Sequence, residues 1–202
     1  MNREPLWIVK IGGSLMDAPA LHPWLATIAG TEGPARLVVA GGGPFADQVR
    51  AAQQRLGFDD LAAHRMAILA MQQYGLALQS LEPRLGLVES AEGIAELRQG
   101  GGRAVWLPWR MIGTDRTIEP SWDITSDSLA LILARRLAAE RLVLVKSATM
   151  QAGTDLASLA AAGVVDAAFT RLAAGFEERI AFAHRDAPPL GALFPATSRL
   201  HG

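Results

Sequence analysis

The chain has 202 residues, of which half are apolar and 19% are charged, so we expect one well-buried domain over residues 1–202. Its net charge of −1 offers no basic field for nucleic acid or for an anionic membrane surface. There is no cysteine, which excludes disulfides and thiolate metal sites, and the four histidines show no metal-ligand spacing. The opening MNREPLW lacks the pattern of a secretory signal, and the apolar runs are far shorter than the ~20 residues of a membrane span, so the sequence predicts a cytoplasmic protein.

Short runs of strand-forming residues alternate along the chain with stretches rich in alanine and leucine. In chain order, the predicted elements are a strand at 6–11, a helix at 18–29, a strand at 36–40, helices at 44–56 and 60–80, a strand at 84–88, a helix at 91–98, a strand at 103–107, a helix at 126–139, a strand at 142–146, a helix at 166–174, a strand at 178–183 and a candidate last strand at 196–200. The strand runs are continuously apolar, which is typical of a sheet covered on both faces. This order predicts an α/β fold with a mostly parallel sheet.

Polar and glycine-rich segments follow three of these strands. Gly12–Ser14 follows the first strand, Gly41–Gly43 follows the second, and Ser147 follows the fifth. In parallel α/β sheets, ligands bind beyond the carboxyl ends of the strands. Glycine there lets backbone N–H groups turn towards an anion, and a helix that begins at Pro44 adds partial positive charge. Either cluster alone is more typical of a tight turn, as are the glycines at 100–102, which precede a strand.

Two lysines belong to predicted buried strands: Lys10 in VKIGGSL and Lys146 in RLVLVK. A lone lysine is costly to bury unless its charge is used. If both side chains reach the carboxyl edge of the sheet, they and the glycine loops would enclose a phosphoryl group in transfer. The alternative is that both lysines extend from strand edges into solvent.

The segment SWDITSDSLALILARRLAAE begins as a loop and continues as a helix, with Ser126 as the predicted N-cap. Asp123 and Asp127 lie around the start of this helix. A carboxylate here could orient the two lysines or hold Mg²⁺, and either role suits phosphoryl transfer, which depends on positioning and positive charge. The alternative is that Asp127 only complements the helix dipole. The preceding stretch from about Pro108 to Trp122 is predicted to be a long irregular loop of the kind that often carries function.

The motifs VKIGGSL, VVAGGGPFADQVR and DITSDSLALILA, in this order and spacing, resemble the amino acid kinase family over roughly Leu6 to Phe182. The resemblance implies a three-layer αβα sandwich with a mainly parallel central sheet. It also implies transfer of the γ-phosphoryl group of ATP, with Mg²⁺, to a carboxylate, a phosphate or a similar oxyanion of a small molecule.

The same resemblance implies roles for single residues. Lys10 would contact the phosphoryl oxygens, Asp127 would orient the lysines, and Lys146 is the third candidate catalytic residue. The residues expected to hold the ATP phosphates are Gly12, Gly13, Ser14 and Ser147. The residues expected on the acceptor side are Gly41, Gly42, Gly43, Asp47 and Asp123. None of these residues is expected to be a metal ligand.

Two departures from the family pattern bear on the substrates. The segment KSATMQAG (Lys146–Gly153) lacks the acid that many members carry directly after this strand. The nucleotide-base pocket therefore has no assigned residues. The second glycine loop lacks the histidine that isopentenyl phosphate kinases place near their acceptor, and this argues against that enzyme.

Within the family, GGGPFADQVR, HRMAILAMQQYG and WLPWRM are most similar to the small kinases of methanofuran and methylofuran biosynthesis. These kinases add a second phosphate to an aminomethyl-furan-methanol phosphate. A pocket for this flat cation would need an aromatic or apolar wall, for which Trp109 and Trp122 are candidates. It would also need a carboxylate for the amine, for which Asp47 and Asp123 are candidates. The tryptophans are equally compatible with core or subunit contacts.

The stretch MAILAMQQYGLAL is apolar on all sides of a predicted helix. The resemblance implies that subunits pair through a helix in this region, so a homo-oligomer is predicted, with Met66, Leu69 and Met71 as core or interface residues. Three other functions stay open: a kinase of another small acid or phosphate, such as acetylglutamate, UMP or isopentenyl phosphate; a storage protein of this fold that binds ATP and oxometalate; and a nucleotide-binding subunit without turnover.

Overall fold

The computed structural model describes residues 4–149 and 154–186, and its centre is a sheet of six parallel strands. The strands are β1 (Leu6–Ile11), β2 (Ala35–Ala40), β3 (Gly86–Val88), β4 (Arg103–Trp106), β5 (Arg141–Lys146) and β6 (Ile180–His184). Their order across the sheet is β3-β4-β2-β1-β5-β6, and each neighbouring pair is parallel. The strands β1, β2 and β5, whose ends carry the predicted site, are therefore adjacent at the middle of the sheet.

Helices cover both faces of the sheet. They are α1 (Leu21–Ile28), α2 (Gly43–Leu56), α3 (Asp60–Leu81), α4 (Ala91–Gln99), α5 (Trp109–Ile112), α6 (Ser126–Arg136), α7 (Leu156–Ala161) and α8 (Phe169–Ala173), with short 3₁₀ turns at Gly13–Leu15 and Glu177–Arg179. The predicted three-layer αβα sandwich is confirmed. In the described ranges, 4–149 and 154–186, no helix is long and apolar enough to cross a membrane.

The core explains why the strand sequences are apolar without alternation. On β1, Leu6 and Ile8 pack into the cluster that includes α6 and α8, whereas Val9 and Ile11 pack into the cluster that includes α1. Successive side chains of a strand point to opposite faces, so both sets are buried only because both faces are covered. Lys10 has the same parity as Leu6 and Ile8 and therefore points to the face that α6 covers.

The amino edge of the sheet is closed by two buried arginines. Arg36 Nη1 donates to the carbonyl oxygens of Ile28 and Gly30 at 2.9 Å each, and Arg103 Nη2 donates to that of Thr31 at 2.8 Å. Burial, with a contribution from the charge of Arg103, lowers the pKa of Arg36 to about 10, so the guanidinium stays charged at neutral pH. These contacts hold the loop between α1 and β2 against the edge opposite to the glycine loops.

Most differences from the sequence predictions concern helix ends. Ser126 was predicted to cap the helix that follows it, and this is wrong: Thr125 is the N-cap residue of α6 and Ser126 is its first helical residue. The helix α7 was not predicted, and the loop predicted at 108–122 contains the short helix α5. The candidate strand at 196–200 lies outside the described residues.

Candidate active site

The two glycine loops pack directly against each other at the carboxyl ends of β1 and β2. A Cβ atom added to Gly13 would lie 2.3 Å from Gly43 Cα and 2.5 Å from Gly43 N. One added to Gly41 would lie 2.7 Å from Gly13 N. Gly43 also has a φ of +53°, which favours glycine. The two loops therefore meet backbone to backbone, leaving no room for side chains between them.

The loop after β5 joins this arrangement through two contacts. Ser14 Oγ donates to Ser147 Oγ at 3.3 Å. A Cβ atom on Gly12 would lie 3.2 Å from the carbonyl oxygen of Val145, which shows how closely the ends of β1 and β5 approach. The residues that the sequence predicts for phosphate binding thus lie beside one another in space.

Asp127, in the first turn of α6, lies between the two lysines. Its Oδ1 is 2.8 Å from Lys10 Nζ, and its Oδ2 accepts a hydrogen bond from Lys146 Nζ at 2.5 Å. The Lys10 contact is an ion pair without hydrogen-bond alignment. The side chains of Lys10 and Lys146 are only 5% and 12% exposed, so neither lysine extends into solvent as the alternative interpretation required.

The charges of this triad do not cancel. Burial raises the pKa of the Asp127 carboxyl, but the ammonium groups of Lys10 and Lys146 outweigh burial and hold that pKa below its usual value. Burial and the charge of Lys10 lower the pKa of Lys146 to about 8, although Asp127 opposes this shift. With both lysines protonated, two positive charges contact the one negative charge of Asp127, and the carboxylate of Asp166 also attracts the Lys146 ammonium. Two buried ammonium groups beside the glycine loops are an anion-binding feature.

The start of α6 is fixed by Asp166, a residue that sequence analysis missed. Its carboxylate accepts hydrogen bonds from the backbone N–H of Thr125 at 2.8 Å and of Ser128 at 3.0 Å, and from both hydroxyl groups. This carboxylate replaces a side-chain cap from the N-cap residue itself. No local pattern signals the contact because Asp166 comes from the turn between α7 and α8, far along the chain.

A cavity of about 170 Å³ lies next to the triad, between α2, α3 and the start of α6. It is lined by Gly42, Ala46, Arg50, Asp60, His64, Ala67, Ile68, Met71, Ser121, Trp122, Ile124, Thr125, Ser126 and Leu129. The lining includes Gly42 and Ser126, the neighbours in sequence of Gly43 and Asp127. Most of the lining surface is apolar, so the cavity can hold a small organic molecule whose polar end meets the glycine loops.

Neither of the two predicted acceptor-side carboxylates lines this cavity. Asp47 is exposed on α2, one position beyond Ala46, and a step of one residue turns a helical side chain by ~100°. Asp123 is exposed in the loop before α6. Of the two tryptophans predicted for the wall, Trp122 lines the cavity and Trp109 does not.

The predicted core or interface residues of α3 differ in burial. Met71 is buried at 3% exposure, whereas Met66 and Leu69 are 39% and 38% exposed. In the part of the chain that the structure describes, no three histidine, aspartate or glutamate side chains come together in a way that could hold a metal ion.

This fold and this arrangement of loops define a class of protein. Residues 5–149 match the model of the amino acid kinase family, and the chain belongs to that family. Over 134 residues it is 31% identical to [5-(aminomethyl)furan-3-yl]methyl phosphate kinase of Methanocaldococcus jannaschii. That match covers 64% of this chain and 60% of the relative, so the chain spans less than two thirds of the length of this relative.

Solved structures share the fold at low sequence identity. The UMP kinase of Ureaplasma parvum is 15% identical, with a TM-score of 0.64 over 95% of both chains. The uridylate kinase of Archaeoglobus fulgidus is 16% identical, with a TM-score of 0.63 over 93% of both chains. An isopentenyl phosphate kinase is 15% identical, with a TM-score of 0.60 over 95% of this chain and 97% of that one.

The close approach of the glycine loops leads to a test by substitution. Gly13→Ala places a methyl group on the backbone of Gly43, so we expect the free energy of unfolding to fall by about 1–3 kcal/mol. Urea denaturation, monitored by circular dichroism, measures this free energy of unfolding. The matched control is Gly86→Ala, because a Cβ atom there has its nearest neighbour at 3.6 Å. Equal stability of the two variants would contradict the described packing.

Proposed function

We propose that this protein is an ATP-dependent kinase that phosphorylates the phosphate group of an aminomethyl-furan-methyl phosphate and releases the diphosphate and ADP. The observation that carries the kinase proposal is the buried Lys10–Asp127–Lys146 triad next to two interlocked glycine loops. The acceptor follows from the relative that phosphorylates [5-(aminomethyl)furan-3-yl]methyl phosphate. Its identity of 31% and the cavity between α2, α3 and α6 support that choice.

The proposed reaction needs no general base. A phosphate monoester has a second pKa of about 6, so its oxygen is already anionic at neutral pH. That oxygen forms the new bond to the γ-phosphorus of ATP, and the bond from this phosphorus to the bridging oxygen breaks, with its electron pair leaving on ADP. Asp127 is a poor base because the two lysines hold its pKa low. Its role is to orient the ammonium groups.

The lysines would stabilise the negative charge on the oxygens of the transferring group. Both are already desolvated and directed by Asp127, so little reorganisation is needed when the charge develops. Backbone N–H groups of Gly12 and Gly13, with the hydroxyls of Ser14 and Ser147, would hold the ATP phosphates. Gly41–Gly43, at the start of α2, would hold the acceptor phosphate at a helix N-terminus.

Mg²⁺ fits this site as a companion of ATP. Both Asp127 oxygens contact ammonium groups, and both Asp166 oxygens accept hydrogen bonds, so neither carboxylate is free to be a ligand. We expect the ATP phosphates to carry the ion, as is common for Mg²⁺ in phosphoryl transfer. It would neutralise charge on the phosphate oxygens.

We expect the protein to act in the cytoplasm as a homo-oligomer. The support for assembly is on α3, where Met66, Leu69 and Leu76 are exposed apolar side chains. Their spacing of three and seven residues brings them to one side of the helix. A second copy of the chain would remove this apolar surface from water.

The function is tested by incubating the protein with ATP and Mg²⁺ and a panel of acceptors, with products read by mass spectrometry. The panel holds aminomethyl-furan-methyl phosphate, isopentenyl phosphate, UMP and acetylglutamate. The expected product is the furan diphosphate. Transfer to another acceptor alone would overturn the substrate proposal. No transfer to any acceptor, with nucleotide bound, would overturn the kinase proposal in favour of storage or of a subunit without turnover.

Substitution of Lys10 tests the triad. We expect Lys10→Ala to lower kcat by about 10²–10³-fold, because it removes one charge from the transferring oxygens. The fold should persist, since Asp127 keeps its hydrogen bond to Lys146. Steady-state kinetics measure kcat, and circular dichroism checks the fold. Arg171→Ala, which removes an exposed cation on α8, is the control and should leave kcat unchanged. Near-normal turnover by a folded Lys10→Ala protein would contradict the mechanism.

The lowered pKa of Lys146 predicts a pH dependence. Its ammonium is protonated below about pH 8 and becomes neutral above it, so kcat/KM for ATP should fall as pH rises through about 8. In Lys146→Arg this fall in kcat/KM should disappear or move above pH 10, because a guanidinium stays protonated over this range. Initial rates from pH 6 to 10 at saturating Mg²⁺ measure both profiles. A flat profile for the unaltered protein, or an identical fall in Lys146→Arg, would rule out Lys146 as the titrating group.

A further inference from the structure

Two residues that line the cavity, Asp60 and Trp122, are joined by one amide side chain, Gln53 of α2. Its Oε1 accepts a hydrogen bond from Trp122 Nε1 at 2.6 Å. Its Nε2 donates to Asp60 Oδ1 at 2.8 Å and to the carbonyl oxygen of Phe58 at 3.3 Å. Both ends of the amide are therefore used, and they fix an indole ring and a carboxylate relative to each other.

Asp60 is the one acidic residue among the described residues that line the cavity. It lies at the first turn of α3, and the turn at 57–59 joins α2 to α3 there. The other end of the cavity, at Gly42, is separated from Arg50 by eight residues of α2, or about 12 Å along the helix axis. Asp60 accepts a hydrogen bond from Gln53, which lies beyond Arg50 on α2. The cavity thus has N–H donors and lysine charge near one end and a carboxylate near the other.

His64 lies one helical turn after Asp60 and also lines the cavity. Its Nε2 is buried and has no hydrogen-bond partner within the described protein. Burial lowers the pKa of His64, so the ring is neutral at pH 7 and can accept a hydrogen bond. Since Nε2 itself is buried, His64 contributes a neutral ring to the lining.

Trp122 lines the cavity, and Arg50 covers one face of its ring. The guanidinium of Arg50 lies 4.1 Å from the centre of the ring. A flat acceptor ring therefore has only the remaining face or the edge of the indole to pack against. Arg50 also adds positive charge to the cavity, about one helical turn before Gln53 on α2.

We propose that Asp60, held in place by Gln53, binds the protonated amine of the acceptor. This assignment rests on the proposed function and names the specificity residues of that site. Asp60 takes the part that sequence analysis assigned to Asp47 or Asp123. A cavity with a carboxylate at the end remote from the phosphate favours acceptors that carry both an ammonium and a phosphate. Because Asp60 is exposed, it would select for the ammonium by attraction and not by a desolvation penalty on UMP or isopentenyl phosphate.

The test compares two acceptors that differ only in the amine: the aminomethyl-furan-methyl phosphate and its analogue with a methyl group in place of the aminomethyl group. For Asp60→Asn, which keeps the shape and the bond to Gln53, we expect kcat/KM to fall about 10–100-fold with the amine acceptor, since a charged hydrogen bond is lost. With the methyl analogue we expect it to change less than about threefold. Glu96→Gln removes an exposed charge on α4 outside the cavity and should change neither value.

Gln53→Ala tests the positioning role. We expect KM for the amine acceptor to rise about tenfold with little change in kcat, and KM for the methyl analogue to rise less. Equal increases for both acceptors would mean that Gln53 only supports the local structure and would overturn its positioning role. Urea denaturation of each variant checks that it is folded, and Asp60→Asn tests the carboxylate even if Gln53→Ala does not fold.

The outcomes separate this inference from the proposed function. If the unaltered protein phosphorylates neither furan acceptor, the proposed function fails. If it phosphorylates both furan acceptors with equal kcat/KM, or if Asp60→Asn keeps its preference for the amine acceptor, the kinase proposal stands and the amine site is overturned. A preference in the unaltered protein that Asp60→Asn abolishes supports the inference.

Discussion

The site depends on one buried carboxylate placed between two buried ammonium groups. A lysine in the middle of a parallel sheet is tolerated only when a counter-charge compensates for its lost hydration. β1 and β5 are neighbours in parallel register, and Lys10 and Lys146 share the parity that points towards α6. The first turn of α6 brings Asp127 to both of them. The register of β1 with β5 and the start of α6 must therefore bring the two ammonium groups and the carboxylate into contact with one another.

Several other features of the fold position or surround these three side chains. Asp166 fixes the backbone of the first turn of α6, and the glycine loops close over the ends of β1 and β2. Because Gly13 and Gly43 leave each other no space for a side chain, the two loops act as one structural unit. Under the proposed function, the phosphate groups of donor and acceptor would approach each other at this unit.

The sequence predicted the fold well because its signals were local. Continuous apolar strands, glycine clusters at strand ends and helical stretches rich in alanine and leucine each depend on neighbouring residues, and the six strands of the described part formed close to their predicted bounds. The need for a carboxylate beside Lys10 also followed from local chemistry, since a charge in a buried strand requires a partner. The N-cap of α6 was misjudged because its acceptor, Asp166, is distant in sequence.

The cavity between α2, α3 and α6 was harder to predict for the same reason. Whether Asp47 or Asp60 lines it depends on the rotation of α2 and on the turn that leads into α3, and neither is encoded in a short motif. Gln53 carried no signal at all, because an exposed-looking glutamine on a helix is ordinary. Its importance appears only when Trp122, from a loop far along the chain, is seen at its amide oxygen.

Lys10 and Lys146 are the only lysines in the entire sequence, and arginine supplies every other basic side chain. Apart from the terminal amine, the chain therefore has no primary amine outside the triad. Arginine keeps its charge and resists acylation, whereas a lysine ammonium can lose its proton and become a nucleophile. Apart from the terminal amine, acylation of primary amines in this chain would therefore report on the triad alone. The extent of this acylation would measure how far nucleotide or acceptor shields those two nitrogens.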